Sequence, residues 1–182
     1  MTSLRQPNQW MLTYTGRAWW PLDPDPNDVD IVDIAHALSM LCRFSGMVRE
    51  FYSVAEHSWH VSTMVPRAYA LEALLHDASE AYCCDVVRPL KYALPDYLRV
   101  EALNQLAVRT KFGLPHIESP CVKEADNNIL STERRDLLPA VVHGQDWIMP
   151  GVLDERVMLA CWSPGLAERM FLERFEELGG LR

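Results

Sequence analysis

The stretch "LEALLHDASEAY", residues 71–82, decides how the chain reads. Leu71, Leu74, Leu75 and Ala78 recur at the spacing of a buried helical face. Among them stand His76, Asp77 and Glu80. A buried titratable group is costly unless it is paired, hydrogen-bonded or bound to metal, so three of them this close together need a common partner. On an unbroken helix, residues three and four apart share a face, which sets Glu80 above both Asp77 and His76. His76 and Asp77 are about 100° apart around such a helix, and a long imidazole and a short carboxylate can still converge on one point. A divalent metal ion makes that cluster tolerable.

Two ligands are too few for a metal site, and other helices should supply more. His57, in "VAEHSWHVS", sits in the first turn of the next helix upstream. Asp126, in "VKEADNNILS", lies between Val122 and Ile129–Leu130. A set of two histidines and two aspartates suits Mn, Co, Zn or Fe better than calcium, with Mg as the harder alternative. His36 is the competing ligand to His57, and Cys83–Cys84 the competing donor pair. Otherwise His36, His60, His116 and His143 are expected to be ordinary hydrogen-bonded residues, and the tryptophans core or lid.

The bulk numbers bound the rest. A chain of 182 residues fits one domain, and 49% hydrophobic content can fill a core. Net charge is −8, which argues against coating a nucleic-acid polymer. One small phosphate substrate held by local cations remains compatible. Five cysteines without a C-x-x-C pair read as reduced thiols of a cytoplasmic protein. No apolar run approaches the roughly 18 residues of a membrane span.

Residues 1–29 read as an extended or turned arm, punctuated by Pro21, Pro24 and Pro26. Residues 30–182 then read as six helices in an all-α single domain. The first starts near Asp30 and carries Ile34, Leu38 and Leu41. "SVAE", residues 53–56, looks like a capping box with Ser53 as N-cap and Glu56 at N3. The third helix follows Pro66 and contains residues 71–82 throughout. The fourth runs from Pro95 to a cap at Gly113, and the fifth starts with Ser119 as cap and Pro120 at the first turn. The sixth is capped by Ser163 and Pro164 and closed by Gly179 and Gly180. "AVVHGQDWIMPG" reads as a loop with at most a short strand.

The order H…HD…D resembles the HD superfamily of metal-dependent phosphohydrolases. "AEHSWHVS", "LLHDASEAY", "DVVRPLKY" and "VKEAD" are similar to blocks of bacterial 5'-deoxynucleotidases of the YfbR type. "DIAHALSMLCRFSG", "FYSVAEHS", "FGLP", "STERRDLL" and "MFLERFEEL" resemble the prophage and phage YfdR-like branch more closely. The resemblance runs from about Thr15 to Leu178. It implies an HD-type helical bundle with one divalent transition metal on His57, His76, Asp77 and Asp126. It implies Glu80 as the catalytic carboxylate, Asp85 beside the deoxyribose, and Arg43 and Lys91 at the phosphate. Where the deoxynucleotidases have Arg-Trp, this chain has Arg43-Phe44. Phe44, Gly46 and Met47 are therefore expected to shape the sugar or base slot, with Trp19 or Trp20 packing nearby.

The function so implied is hydrolysis of deoxynucleoside 5'-phosphates, with water attacking the 5'-linked phosphorus. The alternative is a triphosphohydrolase that releases tripolyphosphate from a dNTP, as in related phage enzymes acting on dATP; Arg17, Arg49 and Arg88 would hold the extra phosphates. A non-catalytic HD nucleotide-binding module ranks last, because a purely structural metal needs neither Glu80 nor Asp85. The expected partner is a small nucleotide, with neither nucleic-acid polymer nor membrane, and a homodimer or higher homo-oligomer is expected.

Overall fold

The computed structural model describes residue 5, residues 8–142, residue 144 and residues 147–180; His143 lies outside the described residues. The fold is an all-α bundle whose one sheet, among the described residues, pairs β1 (Met11–Leu12) with β2 (Ala18–Trp19) antiparallel, Met11 opposite Trp19. The helices are α1 (Ile31–Met40), α2 (Val54–Thr63), α3 (Ala70–Leu74), α4 (Glu80–Cys83), α5 (Arg88–Tyr92), α6 (Pro95–Lys111), α7 (Pro120–Leu137) and α8 (Pro164–Glu177). No described helix is long and apolar enough to cross a membrane.

α2 is the hub, packing against α1, α3, α7 and α8. One core joins Ile34 and Leu38 of α1, Val54 and Ala55 of α2, and Phe171 and Phe175 of α8. Each large side chain fully buried there contributes roughly 1.5–3 kcal/mol. A second cluster, Val61, Ala73, Val122, Ala125 and Ile129, ties α2 and α3 to α7. The predicted cap at Ser53 forms, accepting from the Glu56 amide, and α1 starts as expected beside Asp30, which accepts from the Val32 amide. Gly113 and Gly179 follow their helices with φ of +63° and +88°, where a side chain would be strained.

Four expectations need correction. Residues 71–82 are not one helix: α3 ends at Leu74 and α4 begins at Glu80. An intact helix would bond the Ser79 amide to the Leu75 carbonyl. Instead Gln105 of α6 inserts, its Oε1 accepting from Ser79 N at 3.0 Å and its Nε2 donating to Leu75 O at 2.8 Å. The Ala73 carbonyl, the helical partner of the Asp77 amide, is taken by His76 Nδ1 at 2.8 Å. His76 and Asp77 therefore sit on a turn rather than on one helical face.

The capping box is half formed. The Glu56 carboxylate does not return to Ser53 but accepts from the amides of Ala160, Cys161 and Trp162 at 2.6–3.0 Å. Neither Ser119 nor Ser163 caps its helix through the side chain; the Ser119 hydroxyl donates instead to Glu72 Oε2 at 2.6 Å. The extended arm contains the hairpin and enters the core. Trp19 is 1% exposed, stacks on Tyr82 at 4.0 Å between centroids, and donates from Nε1 to Asn104 Oδ1 at 2.9 Å. Trp20 packs beside Trp10 and Arg5.

Candidate metal centre and cleft

α2 points His57 toward α7, and the turn after α3 brings His76 and Asp77 to meet it. His57 Nε2 and His76 Nε2 face each other at 3.3 Å. Asp126 Oδ1 lies 3.4 Å from His57 Nε2 and 3.9 Å from His76 Nε2. Asp77 Oδ2 lies 3.6 and 3.2 Å from the same two nitrogens. His57, His76 and Asp126 are all buried, with donor atoms within 4.8 Å of one another.

The outer nitrogens fix the imidazoles. His57 Nδ1 meets Glu133 Oε1 at 2.6 Å, and His76 Nδ1 can only donate to its carbonyl. Both rings thus turn Nε2 toward the same point, as metal-bound histidines oriented by an outer acceptor do. Two facing nitrogens among carboxylates suit a cation between them. The group can therefore hold a metal ion, and its N/O chemistry fits a divalent transition ion.

Electrostatics agree with that arrangement. Burial would lower the His76 pKa, but Asp77 and then Asp126 push it up to about 9. Burial works to raise Asp77 and Asp126, yet the imidazoles hold both below the usual carboxylate range. A proton on His76 must therefore leave when a cation arrives. Glu133 is fully buried and, against the cost of burial, is held low by Arg43 and His57. Arg43 Nη2 donates to Glu133 Oε2 at 3.0 Å, and its Nη1 lies 3.6 Å from Asp77 Oδ2.

A cleft of about 840 Å³ opens over this cluster. Its polar end carries Arg43, Asp77, Glu80, Asp85, Lys91 and Asp126. Glu80 is 5% exposed; its Oε2 has no hydrogen-bond partner among the described residues, and Lys91 Nζ is 4.0 Å from its Oε1. Burial, then Asp77 and Asp85, push the Glu80 pKa well above the carboxylate range. Burial raises Asp85 as well. Lys91 is shared with Glu101, at 2.6 Å. Phe44 reaches the cleft from a backbone with φ +54°, followed by Ser45 at +51° and Gly46 at +75°. Left-handed non-glycine residues are uncommon and gather at functional sites.

No family model matches the chain. "Uncharacterized protein YfdR" of Escherichia coli (strain K12) is 44% identical over 172 residues, covering 93% of this chain and 96% of that protein. The chain belongs to the YfdR family. An uncharacterized protein of Rhodobacter capsulatus is 37% identical over 126 residues, 64% of either chain.

Not every expected residue of this YfdR-family chain reaches the cleft. Gly46, Met47 and Trp20 are not among its lining residues, and Met47 is 76% exposed. Met47 follows the Arg43–Gly46 turn outward, while Trp20 is held by the hairpin. His36 stacks on Tyr14 and meets Glu168 at 3.1 Å, away from the cluster. Cys83 hydrogen-bonds the Ser79 carbonyl, so it joins no donor set with His57 and His76. Of the three arginines assigned to extra phosphates, Arg88 lines the cleft; Arg17 pairs with Asp30 at 3.2 Å, and Arg49 lines an adjoining hollow of about 560 Å³ that shares Trp147 with the cleft.

Residues that the sequence reading missed include Glu133, Lys123 and Trp147. Glu133 lies seven residues after Asp126, two helical turns along one face, so spacing could have found it. Lys123 lies three before Asp126 and contacts its Oδ2 at 2.7 Å. No local pattern announces Trp147, which reaches the cleft from the loop after α7.

Proposed function

We propose that the chain is an HD-type, metal-dependent phosphohydrolase of deoxynucleoside 5'-phosphates. One observation carries the reading: Asp77 and Asp126, which meet the two facing Nε2 atoms of His57 and His76, line a cleft together with Glu80, a buried carboxylate whose Oε2 has no hydrogen-bond partner among the described residues. A structural metal site has no use for such a carboxylate, which disfavours a non-catalytic module. His57, His76, Asp77 and Asp126 would hold a divalent transition ion, Mn, Co, Zn or Fe, with Mg as the harder alternative. When bound, that ion acidifies water and polarises a phosphoryl oxygen.

The chain's own residues supply the rest. Glu80 Oε2 takes the proton of the attacking water, a task that suits a carboxylate whose pKa is raised. Arg43, fixed by Glu133, stabilises negative charge as it develops on the phosphoryl oxygens. Lys91 supports that charge from beside Glu80. Asp85 accepts a hydrogen bond from the sugar hydroxyl. Phe44 closes against C2', so a ribose hydroxyl is left clashing or buried without a partner, a penalty of about 1–3 kcal/mol.

A second reading has its own support. Arg88 and Lys123 stand on the outer side of Asp126, with contacts to Oδ2 of 3.6 and 2.7 Å. They are placed to hold phosphates beyond the one attacked, which suits a dNTP triphosphohydrolase. A substrate panel tests both. Purified protein with Mn, Co, Zn, Fe or Mg should release phosphate from dAMP roughly 5- to 150-fold more efficiently than from AMP, toward the low end of that range because phenylalanine is a small filter. Tripolyphosphate released from dATP faster than phosphate from dAMP would promote the second reading. No hydrolysis of any nucleotide under any metal would defeat both.

A further inference from the structure

The cleft also has an apolar lining. Trp147, Ile148 and Pro150 line it from the loop after α7, and Tyr92, Val87 and Pro89 line it from α5 and its approach. Three of these side chains are large, apolar and open to water: Trp147 is 46% exposed, Ile148 86% and Tyr92 71%. Exposed apolar surface at the mouth of a polar cleft marks a binding surface.

The wall is held in place. The Gly151 carbonyl accepts from Ser131 Oγ at 2.9 Å, and the Val152 amide donates to Asn128 Oδ1 at 2.8 Å. Gly151 presses so closely on α7 that an added Cβ would stand 2.2 Å from the Asn127 carbonyl oxygen. All three anchors lie within five residues of Asp126 on α7, so the helix that supplies a metal ligand also sets the wall. The Trp147 indole is further steadied by Arg134, whose guanidinium carbon lies 5.8 Å from the ring centroid.

We propose that Trp147, with Ile148 beside it and Tyr92 on α5, is the base-recognition wall of the cleft and takes the flat, apolar end of a nucleotide whose phosphate lies at the polar end. The assignment rests on the phosphohydrolase reading above and adds what that reading lacks, a site for the base. An apolar wall of this kind offers faces rather than fixed hydrogen-bond partners. It therefore selects for an aromatic ring and discriminates weakly between bases, because every base has a π-face.

The test compares dAMP with 2-deoxyribose 5-phosphate, which has the same phosphate and sugar but no base. In Trp147→Ala, kcat/KM for dAMP should fall about 5- to 150-fold, the range set by base–aromatic stacking. The loss should appear mainly in KM. Hydrolysis of 2-deoxyribose 5-phosphate should be unchanged, and Trp147→Phe should recover most of the activity on dAMP. Equal losses on both esters, or none on either, would overturn the assignment while leaving the phosphohydrolase reading intact. If the wild type hydrolyses neither ester, equilibrium dialysis of dAMP decides. Binding weakened by a similar factor in Trp147→Ala supports the wall, whereas unchanged binding, or none by the wild type, overturns it.

Discussion

At Glu80 two requirements oppose each other. Burial beside Asp77 and Asp85 favours its neutral form, yet the general-base role proposed for it needs the carboxylate. A bound cation shifts the balance toward the carboxylate. The turnover of the loaded protein should therefore rise with pH through the Glu80 pKa and be lost as pH falls below it. Glu80→Gln keeps the shape and removes the proton acceptor. Turnover should fall by roughly 10²–10⁴, the acid limb should vanish from the pH profile, and metal content should stay unchanged. Near-normal turnover would make Glu80 a structural carboxylate. At this scale the sequence was informative where chemistry and periodicity coincide: His57, His76, Asp77, Glu80 and Asp126 each interrupt an apolar pattern. Gly46, Met47 and Trp20 were carried over by adjacency, and adjacency says little about which way a side chain points.

Among the elements, the starts of α1, α2, α6, α7 and α8 were legible because Asp30, Ser53, Pro95, Pro120 and Pro164 act locally. The break between α3 and α4 was not, because its cause is Gln105, about thirty residues away in the chain and invisible to any window around residues 71–82. Ser119 and Glu72 give a similar lesson. Glu72 Oε1 accepts from Arg109 Nη1 at 3.0 Å and from the Ser119 amide at 2.8 Å, and its Oε2 accepts from the Ser119 hydroxyl. This carboxylate joins α3, α6 and the start of α7. Glu72→Ala should cost about 3–5 kcal/mol, because Arg109, 4% exposed, loses its ion-pair partner. Burial alone would raise the Glu72 pKa, but the Ser119 bonds and Arg109 lower it. A lowered carboxylate stabilises the fold above its unfolded pKa and loses that contribution as pH falls through the folded one. In Glu72→Gln the deficit in denaturation midpoint should therefore be full at neutral pH and shrink below about pH 4. A deficit independent of pH would mean that Glu72 acts through shape alone.

Taken whole, the molecule leaves Trp10, Leu12 and Tyr14 of the hairpin 45–67% exposed. We expect a second copy to cover such surface. Light scattering at micromolar concentration should give a mass that is a multiple of 20.8 kDa, and a clean monomer mass would remove the idea. The candidate metal centre gathers its residues from α2, the α3–α4 turn and α7, so its geometry exists only when the bundle is assembled. Its most direct test is an anomalous difference map from crystals loaded with Mn, Co or Zn, recorded at the edge of each metal. We expect one peak among His57 Nε2, His76 Nε2, Asp77 and Asp126, at about 2.0–2.2 Å from its ligands. A well-ordered, metal-loaded crystal with no peak among those four side chains would contradict it.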